Sequence, residues 1–245
     1  MAKLRAVLLA AGRGVRMGGE RPKSLIPLDD KEPPLYYLLK ALEKNGIQDL
    51  LVITGFGFQA VEAYVTDRSE SFEVAFVRNT RFASWGNFHS VRMALDQSPG
   101  MDVLVLNSDI VIAPAVLERA VAPDADLVLA VQRRRRLEAE DMRVELNGAM
   151  VRAIGKDIKM VRSHGEFCGV SLIRPRAARA YGDIATSVQW RAETALYYED
   201  VYARMLTDIE ARATAVEDGE YAEVDSPEDV AGAVAVVERH EQSWS

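Results

Sequence analysis

The first apolar run of the chain leads into Leu8-Leu9-Ala10-Ala11-Gly12-Arg13-Gly14-Val15-Arg16-Met17, and Pro22-Lys23 follows shortly after. Small residues let the backbone approach an anion closely, glycine admits positive φ, and fixed cations counter phosphate charge. The segment reads as a strand feeding a loop that wraps a triphosphate. Leu9, Ala10, Ala11, Gly12, Gly14, Arg16 and Lys23 are its nucleotide-binding candidates, and Arg16 and Lys23 are also the catalytic candidates. A strand end followed by surface cations is the plainer reading, but two spaced cations closed by Pro-Lys before Leu25-Ile26-Pro27-Leu28 favour a site. The loop lacks the Gly-Lys-Ser/Thr of the ATPases and the third glycine of a dinucleotide fingerprint.

A second group of residues could hold a metal. The apolar run Val103 to Leu106 ends in Asn107-Ser108-Asp109, and ligand groups converge at such strand tips. A hard cation such as Mg²⁺ prefers carboxylate and phosphate oxygens, which makes Asp109 a metal-ligand candidate. Asn107 and Ser108 beside it are candidates for the nucleotide. Asp225, in Tyr221-Ala222-Glu223-Val224-Asp225-Ser226-Pro227, reads by spacing alone as a helix cap, because Ser226-Pro227-Glu228-Asp229 is a helix start.

These residues resemble a known superfamily, the nucleotidyltransferases that join a nucleoside triphosphate to a phosphorylated sugar or alcohol. Their signature, Leu-Ala-Ala-Gly-x-Gly-x-Arg-Met/Leu followed by Pro-Lys, is matched from Leu9 to Lys23. The resemblance implies that Asp225 is the second metal aspartate, sharing Mg²⁺ with Asp109. A narrower likeness, to the bacterial choline-phosphate cytidylyltransferases, rests on Asn79 to Val91, Gly155-Lys156, Gly165 to Val170 and Tyr197-Tyr198-Glu199-Asp200. It implies that Asn87 and Ser90 meet base and ribose from the first turn of a helix. It further implies that Lys156, Glu166, Tyr198 and Glu199 bind the acceptor, with carboxylates and aromatics at a cationic end. Packing of an amphipathic helix remains the alternative for the tyrosines. The expected reaction is CTP-dependent and Mg²⁺-dependent transfer to a small phosphocholine-like alcohol phosphate. Sugar-1-phosphate or inositol-phosphate transfer from CTP, UTP or GTP is the alternative, and a catalytically inactive regulatory nucleotide-binding protein represents a different class.

The elements that must position these groups follow from apolar periodicity. Strands are expected at Arg5 to Ala10, Asp49 to Thr54, Phe72 to Val77, Asp102 to Leu106 and Asp126 to Val131. Helices are expected between them at Leu35 to Asn45, Phe58 to Thr66, Asn87 to Asp96 and Pro114 to Val121. Antiparallel strands follow at Met142 to Leu146, Ala149 to Gly155 and Glu166 to Ile173, with Asn147-Gly148 as a hairpin turn. Further helices are expected at Pro175 to Tyr181, Ala192 to Leu206 and Pro227 to Glu238. The fold class is therefore α/β: a Rossmann-like open, mainly parallel twisted sheet with flanking helices and a small antiparallel insertion. One domain over 1–245 is expected, with nucleotide bound by 1–131 and acceptor by 132–245. With 30 basic against 37 acidic residues and a net charge of −7, neither nucleic acid nor an anionic membrane is an expected partner. The sequence has one cysteine, Cys168, shows no apolar run near the ~20 residues of a membrane span and opens without a signal-peptide pattern. A cytoplasmic protein is expected; the oligomeric state stays open. The arginine run Arg133 to Arg136 reads as a solvated edge.

Overall fold

A computed structural model of the chain describes residues 3–14, 18–19, 21–133, 137–138 and 140–244. The alternation of apolar runs with amphipathic segments becomes β1 (Leu4–Ala10), α1 (Pro34–Lys44), β2 (Asp49–Thr54), α2 (Phe58–Thr66), β3 (Glu73–Arg78), α3 (Phe88–Asp96) and β4 (Asp102–Asn107). A short β5 (Ile110–Ile112), α4 (Pro114–Val121) and β6 (Leu127–Gln132) follow. The second half contributes β7 (Arg143–Asn147), β8 (Met150–Gly155), β9 (Gly165–Ile173), α5 (Pro175–Trp190), α6 (Tyr198–Met205), β10 (Ala211–Val216), β11 (Tyr221–Glu223) and α7 (Val230–Arg239).

Nine strands form one sheet in the order β3-β2-β1-β4-β9-β6-β10-β8-β7, and β11 pairs separately with β5. Strands β1 to β4 run parallel, while β9 enters antiparallel between β4 and β6. The α/β class holds, and the strand from Gly165 to Ile173 lies at the centre of the sheet rather than in a peripheral insertion. All nine of its residues are buried, as a central strand covered on both faces must be. Side chains alternate between two cores. Ala6, Leu8 and Ala10 of β1 pack with α1, α2, α4 and α7, while Val7 packs with α3, α5 and α6. Fully burying one such Leu or Val side chain contributes about 1.5–3 kcal/mol, which makes these layers the rigid frame of the strand tips.

Three local expectations are corrected. α5 continues past Tyr181 to Trp190, because Ala177, Tyr181, Ala185 and Val188 keep one buried face through Gly182. α6 begins at Tyr198 rather than near Ala192. Ala192 has φ +58°, and the Tyr197 backbone N–H is capped by Asp200 Oδ2 at 2.8 Å. In the β7–β8 hairpin Asn147 pairs with Met150, so the central turn residues are Gly148 and Ala149, with Gly148 at φ +62°. None of the described helices is long and apolar enough to cross a membrane.

Candidate active site

The register of the sheet brings the loop and the first aspartate together. Leu9 of β1 lies beside Asn107 of β4, so both strand tips open on the same edge. There they border a cleft of ≈ 640 Å³, whose walls include Leu9, Ala11, Gly12, Asn87, Ser90 and Asn107. Beyond Ala11 the loop is laid down by close backbone contact. Gly14 has φ +60°, and a Cβ there would come to 3.0 Å from the Lys23 side chain. Only glycine allows the loop to fold against that lysine without strain. On the other side a Cβ on Gly57 would reach 2.6 Å from Pro22 Cγ, so Pro22 is seated against a second position that excludes a side chain. Ala10, Gly14 and Ser108 do not line the cleft. Ala10 is core, and Ser108 ties the two strand tips by donating to the Leu9 carbonyl at 2.9 Å. Arg16 lies outside the described residues, as do Arg134 to Arg136; Arg133 is exposed.

Lys23 turns away from the loop and into a nest of carboxylates. Its Nζ lies 2.9 Å from Asp109 Oδ2 and is also ion-paired with Asp225. Asp109, Glu223 and Asp225 each offer an oxygen within 4.8 Å of the others, a group of carboxylates that could hold a metal ion. The β5–β11 pair builds this cluster. β5 starts immediately after Asp109, Ile110 pairs with Glu223, and the Val224 N–H donates to the Asp109 carbonyl at 2.8 Å. Capping of the turn after Asp225 is carried out by Ser226 together with Asp229. Asp229 Oδ2 accepts from the Ser226 N–H at 2.7 Å, which leaves the Asp225 carboxylate to Lys23 and the cluster. Burial, and then the nearby Asp109 carboxylate, push the Glu223 carboxyl up to about 7, while Lys23 acts the other way. Glu223 was missed as a ligand, although the signal was present: residues two apart on an extended segment face the same side, and Glu223 stands two before Asp225.

The remaining candidates divide into those that line the cleft and those that brace it. Asn87 precedes α3 and makes no side-chain cap; its Oδ1 instead accepts the Tyr198 backbone N–H at 2.9 Å. Ser90 sits in the first turn of α3, where its Oγ accepts from Asn79 Nδ2 at 3.0 Å. The adjacent Gly86 N–H donates to the Thr194 carbonyl at 2.7 Å, and a Cβ on Gly86 would lie 1.9 Å from the Leu196 carbonyl oxygen. Lys156, Glu166 and Glu199 also line the cleft, and Lys156 Nζ stands 5.3 Å from the Tyr197 ring centre. Tyr198 is a correction. It is 0% exposed, packs edge-on against Phe167 and Tyr202, and donates its hydroxyl to Asn107 Oδ1 at 3.0 Å. Because α6 starts one residue after Tyr197, the aromatic that faces the cleft is Tyr197. Glu199, 6% exposed, has its carboxyl pushed up to about 8 by burial. Among the described residues nine carboxylate side chains line the cleft against one basic side chain, Lys156.

Strands β1 and β4 ending together under a glycine loop, with acidic residues returned beside them by a short strand pair, place the chain in the class of nucleotide-diphospho-sugar transferase-like α/β domains. Residues 6–215 match the MobA-like NTP transferase domain, and the chain belongs to that family. Its fold is similar to that of the inositol-1-phosphate CTP transferase from T. maritima (TM-score 0.81, 21% identity, 97% of this chain and 98% of that one). It is also similar to that of the CTP:phosphocholine cytidylyltransferase from Streptococcus pneumoniae (TM-score 0.76, 18% identity, 98% and 99%). Among curated relatives, the CMP-5'-(3-aminopropyl)phosphonate synthase of Streptomyces rubellomurinus is 36% identical over 154 residues, 60% of this chain. A heptose 1-phosphate guanylyltransferase of Aneurinibacillus thermoaerophilus is 27% identical over 135 residues, 53% of this chain. The matched region spans only 24% and 57% of the length of those two relatives.

Proposed function

We propose that the protein transfers a cytidylyl group from CTP to the phosphate of a small phosphocholine-like alcohol phosphate whose far end is cationic, releasing pyrophosphate. The observation that carries this reading is the meeting of Lys23, from the glycine loop, with Asp109, Glu223 and Asp225 at one end of an otherwise acidic cleft. In this reading residues 1–131 supply the nucleotide side and 132–245 most of the acceptor side, within one domain. Two structural neighbours named for CTP and a relative named for a CMP-phosphonate support the choice of base.

The attacking oxygen needs no general base, because a phosphate monoester with a second pKa of about 6 is largely ionised at neutral pH. Lys23 counters charge on the triphosphate as pyrophosphate departs, and Arg16 takes the same role from the loop. Asp109, Glu223 and Asp225 are the residues that would hold Mg²⁺. Bound there, the ion would neutralise phosphate charge and polarise the phosphoryl oxygens. Asn87 and Ser90 face base and ribose, and Lys156 the acceptor phosphate. The cationic end is the counterpart of the acidic wall, since a purely anionic acceptor would meet unscreened repulsion there. Cytoplasmic placement fits a buried, unbridged Cys168.

The test is pyrophosphate release from four nucleoside triphosphates paired with phosphocholine, phosphoethanolamine, 2-aminoethylphosphonate, inositol phosphate and sugar 1-phosphates. CTP with an acceptor whose far end is cationic should dominate. Dominant release from UTP or GTP with a sugar 1-phosphate would overturn the choice of substrates. CTP binding without release from any pair would identify a regulatory nucleotide-binding protein instead.

A further inference from the structure

Glu199 is the second residue of α6, and it is among the residues that line the cleft although it is only 6% exposed. Its Oε2 is buried and has no hydrogen-bond partner among the described residues. A buried carboxylate oxygen without a donor is costly, so such an atom at a cleft wall points to a donor on the ligand. A backbone N–H and the Tyr198 hydroxyl act on the carboxyl, but the Tyr198 hydroxyl also meets Asn107, the Tyr202 hydroxyl is paired with Ser171, and neither hydroxyl serves Oε2.

We propose, building on the cytidylyltransferase reading, that the acceptor ends in a primary ammonium group rather than a quaternary one, and that Glu199 is the residue that selects it. A primary ammonium carries three N–H donors and can satisfy Oε2 directly, whereas a trimethylammonium presents only methyl groups and leaves that oxygen unpaired. A quaternary head needs aromatic faces in place of donors. Among the described residues the cleft offers one well-exposed ring, Tyr197 at 49%, and that ring already faces the Lys156 ammonium, while Tyr198 is wholly internal. Burial raises the Glu199 carboxyl to about 8, so the group is held largely protonated until a cation arrives beside it. The ligand class is therefore an aminoalkyl phosphate or an aminoalkyl phosphonate, two acids that share the ammonium and differ in the bridging oxygen.

The experiment measures kcat and KM with CTP and Mg²⁺ for phosphoethanolamine, 2-aminoethylphosphonate, phosphocholine and ethyl phosphate, in the parent protein and in Glu199→Gln. The parent should prefer one of the two primary amines to phosphocholine by about 100-fold or more in kcat/KM, as sites built around a hydrogen-bonded group reject analogues lacking it. Which of the two leads identifies the phosphorus acid. Glu199→Gln should raise KM for the primary amines by about 10- to 100-fold, the scale of a hydrogen bond to a charged group. It should change ethyl phosphate by less than about threefold, with kcat nearly constant. Phosphocholine at parity with the primary amines, or an equal loss for all acceptors in the variant, would overturn the assignment. The parent's own selectivity decides the matter even if the variant folds poorly. Failure of every acceptor to release pyrophosphate would instead overturn the cytidylyltransferase reading beneath it.

Discussion

Lys23→Met removes the one cation that the described residues place inside the carboxylate cluster while nearly preserving its length, and the structure assigns that change two opposite signs. The cluster oxygens lie within 4.8 Å of one another. At the effective dielectric of about 20 that suits partly buried pairs, two unit charges at that spacing repel by about 3.5 kcal/mol. The Lys23 ammonium offsets this repulsion through its pairs with Asp109 and Asp225. Side-chain exposures of 14%, 22% and 32% for Lys23, Asp109 and Asp225 leave these pairs open to solvent screening. Each is then worth roughly 0.2–1 kcal/mol net. A dication entering the cluster must displace that interaction. In the absence of nucleotide, Lys23→Met should therefore bind Mn²⁺ about 2- to 30-fold more tightly, read by electron paramagnetic resonance of free Mn²⁺. With CTP and acceptor present, the same variant should lose about two orders of magnitude in turnover, the scale of removing one transition-state electrostatic donor. Weaker metal binding together with lost turnover would refute the reasoning, because it would make Lys23 a support of the cluster rather than a competitor for it. Unchanged turnover would remove Lys23 from catalysis.

Asp109→Ala and Asp225→Ala should each abolish Mg²⁺-dependent turnover while leaving the far-UV circular dichroism unchanged. Glu223→Gln should weaken the metal by a smaller factor, and Mn²⁺ titration of the three variants checks the order. Gly86→Ala should destabilise the fold by about 1–3 kcal/mol or more in urea denaturation, since its Cβ would lie 1.9 Å from the Leu196 carbonyl oxygen. The Glu199 carboxyl, raised from 4.5 to about 8, is a pH-dependent element of stability on the order of 5 kcal/mol. Its folded pKa is the higher one, so stability is greatest below about 4.5 and falls as pH rises through about 8. The groups around it, Tyr181, Tyr198, Asp200, Tyr202 and Glu223, are all acidic or neutral, and none supplies an offsetting cation. Relative to the parent, Glu199→Gln should therefore gain stability between pH 5 and pH 9 in chemical denaturation; a pH-independent difference would refute this.

What could be read from the chain depended on how local the signal was. The strand Leu4–Ala10, the glycine loop and Lys23 lie within one short segment, and β2, α2 and α4 begin and end where apolar periodicity and turn residues place them. Glu166 to Ile173 reads as an antiparallel strand, but the entry of β9 between β4 and β6 depends on pairings with residues 34 to 70 positions away, which local periodicity does not encode. β10 carries little apolar signal because Ala211–Val216 is mostly small residues with Val216 as its one large apolar side chain, and it gains its place by pairing between β6 and β8. The exchange of Tyr197 for Tyr198 has the same origin. Which of two adjacent tyrosines faces the cleft is set by the residue at which α6 starts, and that start depends on Asn87 accepting the Tyr198 N–H from a distant part of the chain.

That last hydrogen bond makes the two halves of the cleft a single mechanical body. Asn87 lines the cleft, yet its side-chain Oδ1 fixes the first N–H of the helix whose next residue is Glu199, and Gly86 is locked to Thr194 immediately beside it. Under the proposed roles, a change at Asn87 that retuned the choice of nucleotide would also shift the carboxyl proposed to read the other substrate. The two specificities would then be coupled through one side chain. Evolution or engineering that alters one of them must move through variants in which both are disturbed.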